Sequence, residues 1–162
     1  MKKNKQILIG THNEGKFKEI SKLLSKKLKK ISPKDHNIKA PKETGKTFKS
    51  NSELKANYFY KKTKIISLSD DSGIEISALG NKPGIFSARW AKQHGNFEKA
   101  MKSILKKIKF KNNRNARFIC SLSIRLNNKK IISVYGKING KISHKILGTK
   151  GFGYDPIFIP NK

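Results

Sequence analysis

Gln6-Ile7-Leu8-Ile9-Gly10-Thr11-His12-Asn13-Glu14-Gly15-Lys16 decides the fold class. Gln6 to Gly10 reads as a short buried strand, and Thr11 to Gly15 as a loop. From there Phe17, Ile20, Leu23, Leu24, Leu28 and Ile31 recur at helical spacing, which predicts a helix from about Lys16 to Lys30. A strand, a glycine-containing loop and a helix start form a place where backbone N–H groups meet an anion, and Lys16 adds a point charge there. The segment is not a Walker A loop, which needs two glycines around a longer span. Alone it is a weak signal and reads better as a β–α connection with a good N-cap.

Outward from that segment, Thr47 is the N-cap of a second helix running through Phe48, Leu54, Tyr58 and Phe59 to about Lys62. Strands are expected at 65–69 and 74–77, with a loop through Lys82-Pro83-Gly84. A third helix starts near Asn96 and carries Phe97, Met101, Ile104, Leu105 and Ile108 on one face. The period then switches. Ala116 to Leu126 alternates as a strand, Asn127-Asn128 turns, and Lys130 to Ile138 returns as its hairpin partner. Gly148 to Asp155 is rich in glycine, and Pro156 to Ile159 is a last short strand. The pattern is α/β with an antiparallel portion, hence a mixed sheet.

At 162 residues the chain reads as one domain spanning 1–162, long enough to hide roughly two-thirds of its unfolded surface. Only 35% of residues are hydrophobic and the mean hydropathy is −0.64, yet the apolar residues fall in periodic runs, which argues against disorder. No stretch approaches the ~20 apolar residues of a membrane span. The basic start Met1-Lys2-Lys3-Asn4-Lys5 is followed by too few apolar residues for a signal peptide, so a cytoplasmic location is expected. The single Cys120 excludes an internal disulfide and a cysteine metal cluster, and its apolar neighbourhood reads as a buried thiol.

There are 38 Lys and Arg against 10 Asp and Glu, a formal net charge of +28. Such a charge is the footprint of a nucleic-acid binder. Only four of the cations are arginine, however, at 89, 114, 117 and 125, and base readout favours arginine. The lysines are also spread through every segment. They read mainly as a solvated face, with nucleic acid attracted only non-specifically.

Against that scarcity of acids, Asp70 and Asp71 stand side by side in Ser69-Asp70-Asp71-Ser72-Gly73. Neighbouring carboxylates raise one another's pKa and need a cation nearby. At the end of a strand that cation is often a divalent metal with oxygen ligands, although two aspartates can also simply cap a turn. Glu43, in Glu43-Thr44-Gly45 ahead of the helix that presents Lys55, is a second acid in a loop. Together Glu43 and Asp71 offer a two-carboxylate Mg²⁺ site. In Gly151-Phe152-Gly153-Tyr154-Asp155-Pro156, glycines flank an aromatic that suits either a stacking platform for a flat ring, with Asp155 accepting from base N–H groups, or a plug at a sheet edge.

Five motifs appear in one order: Thr11 to Lys16, Glu43-Thr44-Gly45-Lys46-Thr47-Phe48, Ser69 to Gly73, Pro83-Gly84-Ile85-Phe86-Ser87-Ala88-Arg89, and Gly148 to Pro156. In this the whole chain resembles the inosine triphosphate pyrophosphatase family, the dITP/XTP pyrophosphatases. The resemblance implies an ITPase-like α/β fold, a long mixed β-sheet with flanking helices forming two lobes around a central cleft. It implies hydrolysis of ITP, dITP or XTP to the monophosphate and pyrophosphate, a Mg²⁺ requirement and a homodimer. Carried over by position, Thr11, His12, Asn13, Glu14, Gly15 and Lys16 would hold the phosphates, and Lys55 would contact them. Glu43 and Asp71 would hold Mg²⁺, with Asp71 also positioning or deprotonating the attacking water. Ser72 would touch the substrate, and Phe152, Gly153, Tyr154 and Asp155 would hold the base, Phe152 by stacking. Arg89 matches a family residue near the phosphate end, or makes a structural ion pair.

The family pattern continues into a helix with a lysine and a Ser-His-Arg motif that recognises the purine; this chain ends at Lys162 before it, and is expected to be C-terminally short. Ser143-His144-Lys145 aligns with a different family segment. Ser50 stands where the family commonly has glutamate. A basic nucleic-acid-binding module, or a nucleotide-binding remnant without efficient turnover, are the alternatives.

Overall fold

A computed structural model describes residues 5–148 and 151–162. Met1 to Asn4 of the basic start, and Thr149 and Lys150 of the glycine-rich motif, lie outside the described residues. Among the described residues seven strands hydrogen-bond in one sheet, six of them in the order β2-β1-β3-β5-β6-β7, with β4 paired to β3. They are β1 (Gln6–Ile9), β2 (Lys29–Ile31), β3 (Ser67–Ile76), β4 (Lys82–Pro83), β5 (Asn115–Arg125), β6 (Ile131–Ile142) and β7 (Phe158–Pro160). The helices are α1 (Glu14–Leu23), α2 (Phe48–Thr63), α3 (Ser87–Gln93) and α4 (Phe97–Lys107). β1 runs parallel to β2 and β3, whereas β3–β4 and β6–β7 are antiparallel, so the sheet is mixed as expected. No helix among the described residues is long and apolar enough to cross a membrane.

The chain divides into two compact units, 1–71 with 121–135, and 72–120 with 136–162. In the first, Ile7, Leu8 and Ile9 are all buried, as a strand between two parallel neighbours requires. Leu8, Ile31 and Phe59 form its apolar centre, with Ile38, Tyr58 and Ile65 packed against them. The expected helix to Lys30 ends at Leu23, because Leu24 turns extended and the chain returns as β2 along β1, pairing Lys29 with Gln6 and Ile31 with Leu8. Leu23 is left largely exposed, while Ile31 enters the core from the strand.

α2 starts where expected. Thr47 accepts from Ser50 N, and Ser50 Oγ accepts from Thr47 N, each at 3.0 Å, closing a capping box. Ser50 thus does at the helix start what a longer acid does in such a box. Buried Ser52 then joins its hydroxyl to Ser121 (3.1 Å) and Ser123 (2.7 Å), fixing α2 against the β5 residues of this unit. The hairpin turn forms as expected, with Asn127 Oδ1 accepting from Lys129 N and Lys130 N.

Expectation and structure part at β3, which is one strand where two had been expected. Its pairing with β1 stops at Ile9 and Leu68, with Gly10 N donating to Leu68 O. Asp70 and Asp71 therefore sit inside a strand, not at a turn, but just beyond the carboxyl end of its parallel neighbour. Gly10 is required there: a Cβ on it would run into Ser69 Oγ and the Phe59 ring.

In the second unit, Ile74, Ile76, Met101, Ile104, Ile108, Ile142 and Ile157 form the core. α4 begins after Asn96, whose side chain accepts from Lys99 N at 2.8 Å. Arg114 binds the carbonyls of Ile108, Ile142 and Ser143. Four expectations are corrected here. Lys82–Pro83 pairs with β3 as β4 where a loop was expected. Ser87–Gln93 forms a helix the periodicity did not mark, too short for two full repeats. The last strand starts at Phe158, because Asp155–Ile157 takes a 3₁₀ turn with Pro156 inside it. Cys120 is half-buried rather than buried.

Gly10→Ala is expected to destabilise the protein by about 1–3 kcal/mol through this overpacking, read as a lower denaturant midpoint at unchanged m-value. Unchanged stability would show that Ser69 and Phe59 yield freely.

Candidate active site

Five charged side chains gather in the first unit. Lys16, in the first turn of α1, places Nζ 2.6 Å from Asp70 Oδ2. Lys55, on α2, places Nζ 2.9 Å from Glu43 Oε1 and 3.6 Å from Asp71 Oδ1. Glu43 and Asp71, from a loop and a strand, therefore meet on one ammonium group. Asp70 and Asp71 are only 3% and 5% exposed. Consecutive strand residues point to opposite faces, and here the two acids are divided between lysines from two helices.

Local geometry explains how each group arrives. Asn13 caps α1 by accepting from Lys16 N at 3.1 Å, which sets the helix start that carries Lys16. The Glu43 loop is held by Asn51, whose Oδ1 accepts from Gly45 N at 2.8 Å. A Cβ on Gly45 would crowd Asn51 Oδ1 and Ser50 Oγ. Asn51 and Lys55 are four residues apart and so share a face of α2.

The electrostatics follow from burial. Burial is the largest influence on Asp71 and raises its pKa above the usual carboxylate value; Lys55, the Asn51 amide and Lys16 pull it back, and Glu43 adds to the rise. Burial pulls Lys55 down, but Asp70, Asp71 and Glu43 together outweigh it and leave its pKa raised. Three carboxylates against two ammonium groups leave one negative charge here, inside a chain of net charge +28. Asp71 Oδ2 is buried without a hydrogen-bond partner. A hard divalent cation suits that donor set: two carboxylates from the protein, with the remaining oxygens from phosphates and water. Among the described residues no three His, Cys, Asp or Glu side chains gather as a metal cluster.

The remaining expected residues divide in character. Thr11 Oγ1 accepts from Asn13 N at 3.2 Å, and His12 Nε2 bonds Ile38 O at 2.9 Å. Glu14 is exposed and pairs with Lys34 at 3.0 Å, and Gly15 is the second residue of α1. Ser72 is half-buried at the first position of the second unit.

Phe152, Gly153, Tyr154 and Asp155 also belong to that unit. Phe152 is 36% exposed. Asp155 Oδ2 accepts from Phe152 N at 2.9 Å, so this acid closes its own loop. Tyr154 is a core residue: its hydroxyl donates to Ser87 O at 2.9 Å, its ring meets Phe97 edge-on, and burial pushes the phenol pKa up. Arg89 is exposed with its guanidinium 5.0 Å from the Phe86 ring centroid. Asn51 was not singled out from the sequence, although its place one turn before Lys55 on an expected helix carried the signal.

The Ham1 family model matches residues 7–162. The chain is 41% identical to a dITP/XTP pyrophosphatase of Bartonella quintana over 167 residues, covering 98% of this chain and 78% of that protein. It is 35% identical to a dITP/XTP pyrophosphatase of Zymomonas mobilis, covering 95% and 76%. Among solved structures, a HAM1 protein from Coxiella burnetii superposes with a TM-score of 0.85 at 32% identity, covering 94% of this chain and 80% of that one. The Ham1 protein of Staphylococcus aureus gives 0.83 at 33% identity, covering 95% and 80%.

Because Asp71 holds its proton more tightly in the folded than in the unfolded chain, its contribution to stability falls as pH rises from its unfolded value through its folded pKa. At neutral pH it opposes folding. Asp71→Asn is therefore expected to raise the melting temperature of the metal-free protein by a few degrees, since Lys55 keeps Glu43 and Asp70 as partners. The gain should shrink toward pH 3. A variant that melts lower than wild type at pH 7 would contradict this.

Proposed function

The chain belongs to the Ham1 family, and on that premise we propose that it hydrolyses the non-standard purine nucleoside triphosphates dITP, ITP and XTP to the monophosphate and pyrophosphate. The observation that carries the reading is Lys55 standing between Glu43 and Asp71 while Lys16 stands on Asp70. A triphosphate brings more negative charge than any neutral ligand, and its cleavage moves charge onto the leaving pyrophosphate. Stabilising that charge is most of what a protein must do in such a reaction.

Each group has a part. Lys16 and the α1 N-terminus bind the phosphate tail, with the first-turn N–H groups that Thr11 and Asn13 do not already occupy facing an anion. Lys55 spreads its charge over Glu43, Asp71 and the phosphates. Glu43 and Asp71 would hold Mg²⁺, which when bound neutralises phosphate charge and makes the phosphorus more open to attack. Asp71, whose raised pKa makes it a better base than a solvated aspartate, takes a proton from the attacking water. Phe152, on its glycine-flanked loop, supplies a partly exposed ring against which a purine stacks. The family resemblance also carries the expectation of a homodimer, which gel filtration of the purified protein tests.

Purified protein with Mg²⁺ is expected to release pyrophosphate from dITP, ITP and XTP in preference to ATP and GTP, and to stop when EDTA removes the metal. Lys55→Met is expected to lower kcat/KM for dITP by roughly 100-fold, the scale of one preorganised charge in a site. Orthophosphate as the first product, or a Lys55→Met variant as active as wild type, would contradict the reading.

A further inference from the structure

A polar side chain that folds back onto its own backbone spends hydrogen-bonding capacity on local shape. Asp155 does this in the second unit. Its Oδ2 accepts from Phe152 N at 2.9 Å, and its own N–H donates to Phe152 O at 3.4 Å, so the two residues are joined in both directions. The bend around Phe152 turns on Gly151 and Gly153, at φ +88° and +67°, where a side chain would be strained. A Cβ on Gly151 would also run into the Asp155 carboxylate, which lies directly against that glycine.

The foot of the same segment is fixed independently of Asp155. The Tyr154 hydroxyl donates to Ser87 O at 2.9 Å, and the Tyr154 ring meets Phe97 edge-on. Ile157 is fully buried in the core of this unit. Phe152 stays partly exposed, and its N–H is tied down by the Asp155 carboxylate.

We propose that Asp155 is a positioning residue: it holds Phe152 as a preformed platform for the purine, and serves purine binding through that ring instead of reading the edge of the base. The proposal rests on the stacking and hydrolysis proposed above. A ring already held in place loses little freedom when the purine arrives, so more of the stacking energy appears as affinity. Help of this kind is blind to the groups on the purine edge, because stacking uses the π-face that every base shares. A carboxylate that read the edge would instead tell one purine from another.

Asp155→Ala and Asp155→Asn separate the two roles, with ITP and XTP as substrates that differ only at the base. The asparagine amide oxygen can still accept from Phe152 N, but the side chain carries no charge. Asp155→Ala is expected to raise KM about tenfold for ITP and XTP alike, with kcat within about threefold of wild type. The ratio of the two KM values stays within about threefold of the wild-type ratio. Asp155→Asn recovers most of the loss. Inorganic tripolyphosphate, a phosphate tail without a base, should inhibit both variants with the wild-type Ki, which also reports that they are folded.

The proposal is overturned by Asp155→Ala with KM within about threefold of wild type, or by Asp155→Asn as impaired as Asp155→Ala. An ITP-to-XTP ratio shifted beyond about threefold would make Asp155 a reader of the base and overturn it too. So would loss of tripolyphosphate inhibition in step with KM, which would show that Asp155 holds more than the Phe152 loop. A wild-type protein that releases no pyrophosphate from ITP or XTP would overturn the hydrolase reading itself, and the proposal with it.

Discussion

An ionised aspartate cannot stay in a protein interior without a cation beside it, and this chain buries two in succession. Much of the first unit serves that constraint. β3 runs past the end of β1 to carry the acids, α1 starts early enough to bring Lys16 to Asp70, and α2 is long enough to bring Lys55 between Asp71 and Glu43. Gly10 lets the strand end lie close to Ser69, and Gly45 lets the acid loop lie against Asn51. Removing either lysine would leave a buried carboxylate short of a partner at 2.6 or 2.9–3.6 Å.

What the sequence disclosed was what is local. The strand, loop and helix start at Gln6 to Lys16, the Thr47 cap, the face of α4 and the Asn127-Asn128 turn all follow from spacing and capping within a few residues. The misread parts depend on distant partners. Lys29 to Ile31 looks like the end of a helix until β1 is there to pair with it. Ser69 to Gly73 looks like a turn because it is polar, and becomes strand interior because lysines from two helices neutralise it. Tyr154 and Asp155, expected in the base-binding segment, also hold that segment's own structure, the Tyr154 hydroxyl donating to Ser87 O and Asp155 Oδ2 accepting from Phe152 N. Asn51 passed unmarked because an asparagine in a helix has many uses, and only the direction of its amide singles it out.

Charge also looks different once placed. A chain at +28 invites a polyanion, yet its buried charge cluster is acidic by one unit. The exposed lysines raise the local concentration of anionic substrate around the molecule and speed encounter. The paired lysines, held at 2.6 and 2.9 Å from carboxylates, are the ones with fixed positions and hence the ones able to recognise geometry. A positive surface field and a buried cluster of opposite sign are compatible, because Lys16 and Lys55 cancel all but one of the cluster's charges at contact distance.

The convergence of Glu43 and Asp71 on one cation is tested most directly by titrating the protein with Mn²⁺ and following free ion by electron paramagnetic resonance. The account predicts one saturable ion per chain, bound more weakly by both Glu43→Gln and Asp71→Asn, with the double variant no weaker than the weaker of the two. Wild-type affinity in Glu43→Gln, or two independent and additive losses, would mean that the two acids do not share an ion.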